Sequence, residues 1–266
     1  MDKDRTARMQ RRALLGACAA GAALAAAGRA AAQLQVEISG VGANRLPVGL
    51  MGLHGSSALQ ADVMGVVAAD LSRSGDFRLA GDLAEAGLEE SVAPRFEAWR
   101  AREAVAVATG SIARRADGGF DIRYGLYDTV KEERIDELAL VAGADGLRMA
   151  AHRIADRIYD KLTGMGAMFA SRLAYVAQRA RNRYELIVAD SDGANARPAL
   201  VSSEPIISPA WSPDGSKLAY VSFERRKPVV YVHDVATGQR HPAASFPGNN
   251  SAPAFSPDGK SLAVAM

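Results

Sequence analysis

Apolar residues recur along this chain with two different periods, and the change of period divides it. From residue 33 to about residue 163 both periods occur. Leu34, Val36 and Ile38 alternate with Gln35, Glu37 and Ser39, the period-two pattern of a half-buried strand. Residues 46–53 form a second apolar run, again of strand length. Residues 58–71 then switch to helical spacing, with Leu59, Val63, Val66 or Val67, and Leu71 on one face and Gly75 as the stop. Residues 104–112 and 120–127 flank the turn Ala116-Asp117-Gly118-Gly119 and predict a β-hairpin, and residues 134–141 predict a further strand. Leu147, Ala151, Ile154, Ile158 and Leu162 mark a long amphipathic helix that breaks at Thr163-Gly164-Met165-Gly166. Mixed periods of this kind predict an α/β domain over residues 33–163, with residues 164–170 as linker.

Beyond the break the pattern becomes short strands in repeat. Pro209-Ala210-Trp211-Ser212-Pro213-Asp214-Gly215 followed by Leu218-Ala219-Tyr220-Val221 returns 44 residues later as Pro253-Ala254-Phe255-Ser256-Pro257-Asp258-Gly259 followed by Leu262-Ala263-Val264-Ala265. Ser-Pro-Asp-Gly is turn chemistry: proline presets φ at the second position and glycine suits the last. Each copy is therefore a hairpin, and the period is that of a β-propeller blade. A third copy, without the Ser-Pro-Asp-Gly hairpin, aligns Leu173-Ala174-Tyr175-Val176 with Leu218-Ala219-Tyr220-Val221, 45 residues apart. Residues 171–266 thus predict three strands of one blade, one complete four-stranded blade and two strands of another. The expected fold class is an α/β N-terminal domain followed by an incomplete all-β propeller. Because repeats rely on their neighbours to bury their faces, the expectation is a fragment cut at its C-terminus.

The first 32 residues are of another kind. Arg5, Arg8, Arg11 and Arg12 precede an Ala/Leu/Gly-rich run over 13–27 and the small residues Ala30-Ala31-Ala32, a signal peptide with cleavage expected before Gln33. Arg11-Arg12 fits twin-arginine export, and ordinary secretion stays open beside it. The formal net charge of +2 then resolves into +4 on the leader and −2 on the remainder, which removes the warrant for nucleic-acid binding. Cys18, the sole cysteine, belongs to the leader, so the remainder has no disulfide. At 48% hydrophobic residues the body holds no run long enough to span a bilayer.

Catalytic and cofactor motifs are missing from the sequence. There is no nucleophile elbow, no Walker loop and no His/Cys set at metal-ligand spacing, and Gly40-Val41-Gly42 lacks the third glycine of a dinucleotide loop. His54, His152, His233 and His241 are scattered without paired spacing. Asp190-Ser191-Asp192-Gly193-Ala194-Asn195 lacks the third acidic ligand and distal glutamate of a calcium loop and reads as an Asp-Gly turn. The expectation is no enzyme, no cofactor and no metal. The rival readings are a propeller that gates a serine peptidase and a small-molecule or metal-binding propeller.

With these pieces in place the chain resembles the TolB family of periplasmic propeller proteins of the Tol-Pal system. The resemblance rests on Val67-Ala68-Ala69-Asp70-Leu71, Ser74-Gly75-Asp76-Phe77 and Lys161-Leu162-Thr163-Gly164, on Phe169 and Arg172 at the junction, and on Tyr184-Glu185-Leu186 and Asp190-Ser191-Asp192-Gly193. It continues through the repeat from Ser208 to Val221 and Ala244-Ser245-Phe246-Pro247. It implies a non-catalytic periplasmic scaffold with a six-bladed propeller. Such a scaffold links inner-membrane Tol proteins to the outer-membrane lipoprotein Pal and serves envelope integrity and outer-membrane invagination at cell division. Other envelope lipoproteins are further implied partners. By the same resemblance, Gln33, Leu34, Gln35, Val36, Glu37 and Ile38 form an N-terminal arm that binds TolA by strand addition. Glu204 and Pro205, with Asn249, Asn250 and Ala252 one blade later, lie in the loops at the propeller mouth where Pal docks. The family often has histidine where this chain has Asn249.

Overall fold

The computed structural model describes residues 45–55, 57–81, 87–89, 92–166 and 168–266. The leader, the strand expected at Leu34, Val36 and Ile38, and the arm from Gln33 to Ile38 lie outside the described residues.

The first layer is a five-stranded sheet built around β1 (Leu46–Gly55). Helix α1 (Ser57–Ser74) carries the chain from β1 to the short strand β2 (Phe77–Leu79), which pairs parallel with β1. The chain returns through α2 (Phe96–Arg100) to β3 (Ala106–Arg114), also parallel to β1. β3, β4 (Phe120–Asp128) and β5 (Glu133–Ala142) then form an antiparallel meander, giving the order β2-β1-β3-β4-β5. Helix α3 (Leu147–Thr163) packs beside α1. Val63, Val67 and Leu71 of α1 and Ile154 and Ile158 of α3 meet Val48, Leu50, Ile122 and Leu126 of the sheet in one core. Each such aliphatic side chain contributes about 1.5–3 kcal/mol when fully buried, so this face sets the layer.

The opposite face of the sheet is closed by Trp99 of α2 against Met51, Val107 and Tyr127. Gly49 makes room for it, because a Cβ there would meet the indole ring at 2.5 Å. Neither β2 nor α2 is foreseen in the sequence pattern. Three and five residues are too few to display a period. The remaining elements of this layer lie where the periodicity predicts them. Gly164, at φ 72°, ends α3 in the left-handed conformation, with its N–H bonded to the Asp160 carbonyl at 2.8 Å.

The repeat region forms three sheets. β6 (Arg172–Ala180), β7 (Arg183–Asp190) and β8 (Arg197–Ser202) make a three-stranded sheet. β9 (Ile206–Trp211), β10 (Lys217–Ser222), β11 (Val229–Asp234) and β12 (Arg240–Ala244) make a complete four-stranded blade. β13 (Ser251–Phe255) and β14 (Leu262–Ala265) make a two-stranded one. This is the three-four-two division read from the repeat. Leu186 and Val188 of the first blade pack on Ile206, Leu218, Tyr220, Val229 and Tyr231 of the second. The Arg172 guanidinium lies 4.8 Å from the Trp211 ring centroid and donates to the Gly215 carbonyl at 2.5 Å, clamping the two blades at their rim.

Candidate protein-docking site

The repeated Ser-Pro-Asp-Gly hairpins fix the ends of the blades. Ser212 Oγ donates to Asp214 Oδ1 at 2.6 Å and accepts the Lys217 N–H at 2.9 Å, while Gly215 at φ 68° closes the turn. Ser256, Asp258, Ser261 and Gly259 repeat the arrangement at 2.5 Å, 3.0 Å and φ 69°. The hydroxyl and N–H groups of Ser212 and Ser216 around its carboxylate lower the pKa of Asp214 from 3.8 to about 2. These two acids are turn residues, as their place in the repeat predicts.

The two connections expected at a partner-binding mouth lead into β9 and β13, and these strands pack against each other. In the first, Ser202 is buried and folds the chain back. Its hydroxyl accepts the Glu204 N–H at 3.0 Å and donates to the Glu204 carbonyl at 2.9 Å. The Glu204 residue is left exposed, and half-buried Pro205 accepts the Phe223 N–H through its carbonyl at 3.1 Å. In the second, Asn250 plays the folding role. It is fully buried, donates to the carbonyls of Phe246 at 2.9 Å and Pro228 at 3.3 Å, and accepts the Phe246 N–H at 3.1 Å. Around this anchor Phe246 is 54% exposed, and Gly248, Asn249 and Ala252 are exposed too. Asn249 Nδ2 donates to Ser251 Oγ at 3.1 Å.

The five mouth residues named from sequence therefore separate by role. Glu204, Asn249 and Ala252 present themselves to solvent, Pro205 does so in part, and Asn250 holds the loop from inside. Phe246, which sequence reasoning used only as a family marker, adds an exposed aromatic ring to the same loop. An exposed acid, an amide and an aromatic on loops held by buried polar anchors form a surface suited to a protein partner. Among the described residues they do not form a nucleophile–base arrangement.

A second polar cluster lies where α1 and α3 meet the first blade. His152 of α3 is fully buried, with Nδ1 2.5 Å from Asp70 Oδ2 of α1. Arg73 pairs with Asp70 at 2.7 Å. Arg148 pairs with Asp192, in the turn after β7, and lies 3.5 Å from Asp190, the last residue of that strand. Arg148 and the Ala194 N–H hold the Asp192 carboxyl below its usual range against the opposing effect of burial, its largest single influence. Beside this cluster the carboxylate of Asp156 accepts the N–H groups of Met168, Phe169 and Ala170 at 2.8, 2.6 and 3.0 Å, and the Phe169 ring stands edge-on to Tyr159 at 5.5 Å. The separation of Asp70, His152 and Asp192 along the chain hides this cluster from any local motif search. Buried acids and a histidine on otherwise apolar faces are the one signal the sequence carries.

Two family models match the chain. One described as the TolB amino-terminal domain matches residues 34–135, and one described as the TolB beta propeller domain matches residues 159–266. The Tol-Pal system protein TolB of Dechloromonas aromatica is 51% identical over 230 residues, covering 86% of this chain and 54% of its own. That of Bordetella pertussis is 51% identical over 223 residues, covering 84% and 50%. The crystal structure of TolB from Acinetobacter baumannii superposes with a TM-score of 0.71 at 36% identity, covering 84% of this chain and 55% of that one. The chain spans about half the length of the curated relatives it matches.

Proposed function

The chain belongs to the TolB family, and from that premise we propose that it acts as a non-catalytic scaffold of the Tol-Pal system in the periplasm. The observation that carries this reading is identity of 51% over 86% of the chain to a Tol-Pal system protein, spread across both the α/β layer and the blades. Residues 1–32 serve as the export signal, residues 33–163 as the first domain, residues 164–170 as linker and residues 171–266 as propeller blades. In this role the protein links inner-membrane Tol components to Pal and supports envelope integrity and invagination at division. No helix among the described residues is long and apolar enough to cross a membrane, which agrees with a mature chain that works between the two membranes.

Pal docks on the connections into β9 and β13, through Glu204, Pro205, Asn249 and Ala252, with Asn250 shaping the second loop. TolA engages the arm Gln33, Leu34, Gln35, Val36, Glu37 and Ile38. The test is calorimetric titration of purified Pal periplasmic domain into the protein. Glu204→Lys combined with Asn249→Asp is expected to weaken binding at least about tenfold, the effect of one or two central contacts. Deleting residues 33–38 is expected to weaken TolA binding and leave Pal binding in place. Unchanged Pal affinity in the loop variant, with an unchanged fold, overturns the assignment of the mouth.

A further inference from the structure

We propose that the buried cluster at the junction of α3 and the first blade is a divalent metal site of the zinc class, with His152, Asp190 and Asp192 as ligands and Asp70 as the group that orients the histidine. The three ligand residues bring one donor atom each to within 4.8 Å of one another. His152 is fully buried, and its Nδ1 is held by Asp70 at 2.5 Å. Its other nitrogen, Nε2, is buried and lacks a hydrogen-bond partner. A carboxylate on one ring nitrogen and a free second nitrogen beside two more carboxylates is the arrangement in which histidine ligates a metal. The carboxylate fixes the tautomer, raises the basicity of the ring and leaves the far nitrogen's lone pair for the ion.

Charge leads to the same conclusion. Three carboxylates, Asp70, Asp190 and Asp192, meet two guanidiniums, Arg73 and Arg148. With a neutral imidazole the cluster is one positive charge short, in a place where an uncompensated buried charge is costly. Arg148 holds part of the ligand set, closely at Asp192, to which it donates a hydrogen bond, and loosely at Asp190. Its Nε lies 3.5 Å from Asp190 and makes no hydrogen bond, and its side chain is 28% exposed, so it has a path to solvent. An imidazole nitrogen with two carboxylates suits zinc and similar borderline ions, whereas calcium and magnesium prefer all-oxygen shells. Zinc–ligand bonds of about 2.0–2.2 Å in a tetrahedral shell place donors about 3.3–3.6 Å apart, so the three must close by up to about 1.5 Å. The bound ion would tie helix α3 to the turn after β7, joining the α/β layer to the first blade.

The experiment titrates the purified protein with zinc against a chromophoric chelator, and with cobalt(II) for its visible absorption bands. One zinc per chain is expected. His152→Gln and Asp192→Asn are expected to lose it, and Asp70→Asn to weaken it by about 10–100-fold, the usual cost of removing the partner of a ligating histidine. Arg148→Met removes the competing cation and is expected to tighten zinc binding. This gain cannot come from misfolding, and circular dichroism with thermal melts checks the fold of the other variants. Three results overturn the proposal: no stoichiometric zinc uptake by the folded protein, uptake that survives in His152→Gln, or weaker uptake in Arg148→Met. Absence of uptake together with an imidazole that titrates by NMR would mean that a proton, not a metal, supplies the missing charge.

Discussion

Ser208 and Ala252 stand 44 residues apart in the sequence and hold the same left-handed backbone, at φ 53° and 48°. Both sit at a β-bulge. Between Ile207 and Ala210 the inner strand of the complete blade spans one more residue than its partner between Ala219 and Val221. The next inner strand does the same between Ser251 and Ala254, against Ala263 and Ala265. A proline follows each time, at a position where the lost N–H has no ladder bond to break. The repeat therefore encodes a kink at the start of each inner strand as well as a hairpin at its end, and this kink redirects the chain where the connections enter β9 and β13.

The first prediction concerns that conformation. Left-handed backbone costs an L-residue roughly 1–2 kcal/mol, and a glycine relieves it at an entropic cost of about 0.5–1 kcal/mol. Ala252→Gly is therefore expected to hold or raise stability by up to about 1 kcal/mol. Ala252→Val, which adds a β-branched side chain, is expected to lower it. Urea unfolding midpoints check both, and a destabilised glycine variant would refute the strain argument.

A second prediction separates the two neighbouring asparagines. Asn250 satisfies three backbone groups from a buried position, so Asn250→Ala is expected to cost about 1–3 kcal/mol through the donors and acceptors it strands. Exposed Asn249 holds only the Ser251 hydroxyl among its described bonds, and Asn249→Ala is expected to change stability by less than about 0.5 kcal/mol. The binding readout should differ in kind. Asn249→Ala would alter partner affinity with the loop intact, whereas Asn250→Ala would alter it by loosening the loop. Hydrogen exchange of the Phe246 amide distinguishes the two.

These two residues also show how far the sequence could be read. The blade hairpins were legible because Ser-Pro-Asp-Gly, Gly215 and Gly259 carry their turn chemistry locally and repeat it. Helices α1 and α3 were legible because each is long enough for its apolar face to recur several times. Asn250 was not legible as a loop anchor, since an asparagine in a Pro-Gly-Asn-Asn loop looks the same whether it points inward or outward. β2 and α2 are held by partners distant in sequence, Val48 and Met51, rather than by their own pattern. The Asp70–His152 contact spans 82 residues and has no local signature.

The third prediction follows from Asp214. Its pKa in the folded protein is about 2 against an ordinary 3.8, so the carboxylate's contribution to folding is complete above about pH 5 and is lost as the pH falls toward 2. The lowering comes first from the Ser212 hydroxyl, then from Ser216. The stability difference between the protein and its Asp214→Asn variant is expected to shrink steadily as the pH falls from about 5 to 2. Asp258, lowered by Ser256 and the Lys260 N–H, should behave in the same sense. A difference independent of pH across that window would show that the ionised carboxylate is not what the turn uses.

The last prediction concerns the link between the α/β layer and the blades. Asp156 Oδ1 accepts the N–H groups of Met168 and Phe169, and Oδ2 accepts that of Ala170. An asparagine could keep the first two bonds but would turn an amide N–H toward the third, setting donor against donor. Asp156→Asn is therefore expected to lose about 1.5–3 kcal/mol, the range for bonds to a charged acceptor. The loss should be local before it is global. Cleavage by a low dose of thermolysin is expected to concentrate between Gly164 and Arg172 in the variant, because the Phe169 ring loses the backbone clamp that seats it against Tyr159. Urea unfolding gives the energy, and mass spectrometry of the first fragments gives the place. Equal cleavage of the variant and the parent in this segment, or a first cut elsewhere, would mean that ring packing and the Ser191 hydroxyl, which donates to the Phe169 carbonyl at 2.5 Å, hold the junction without Asp156.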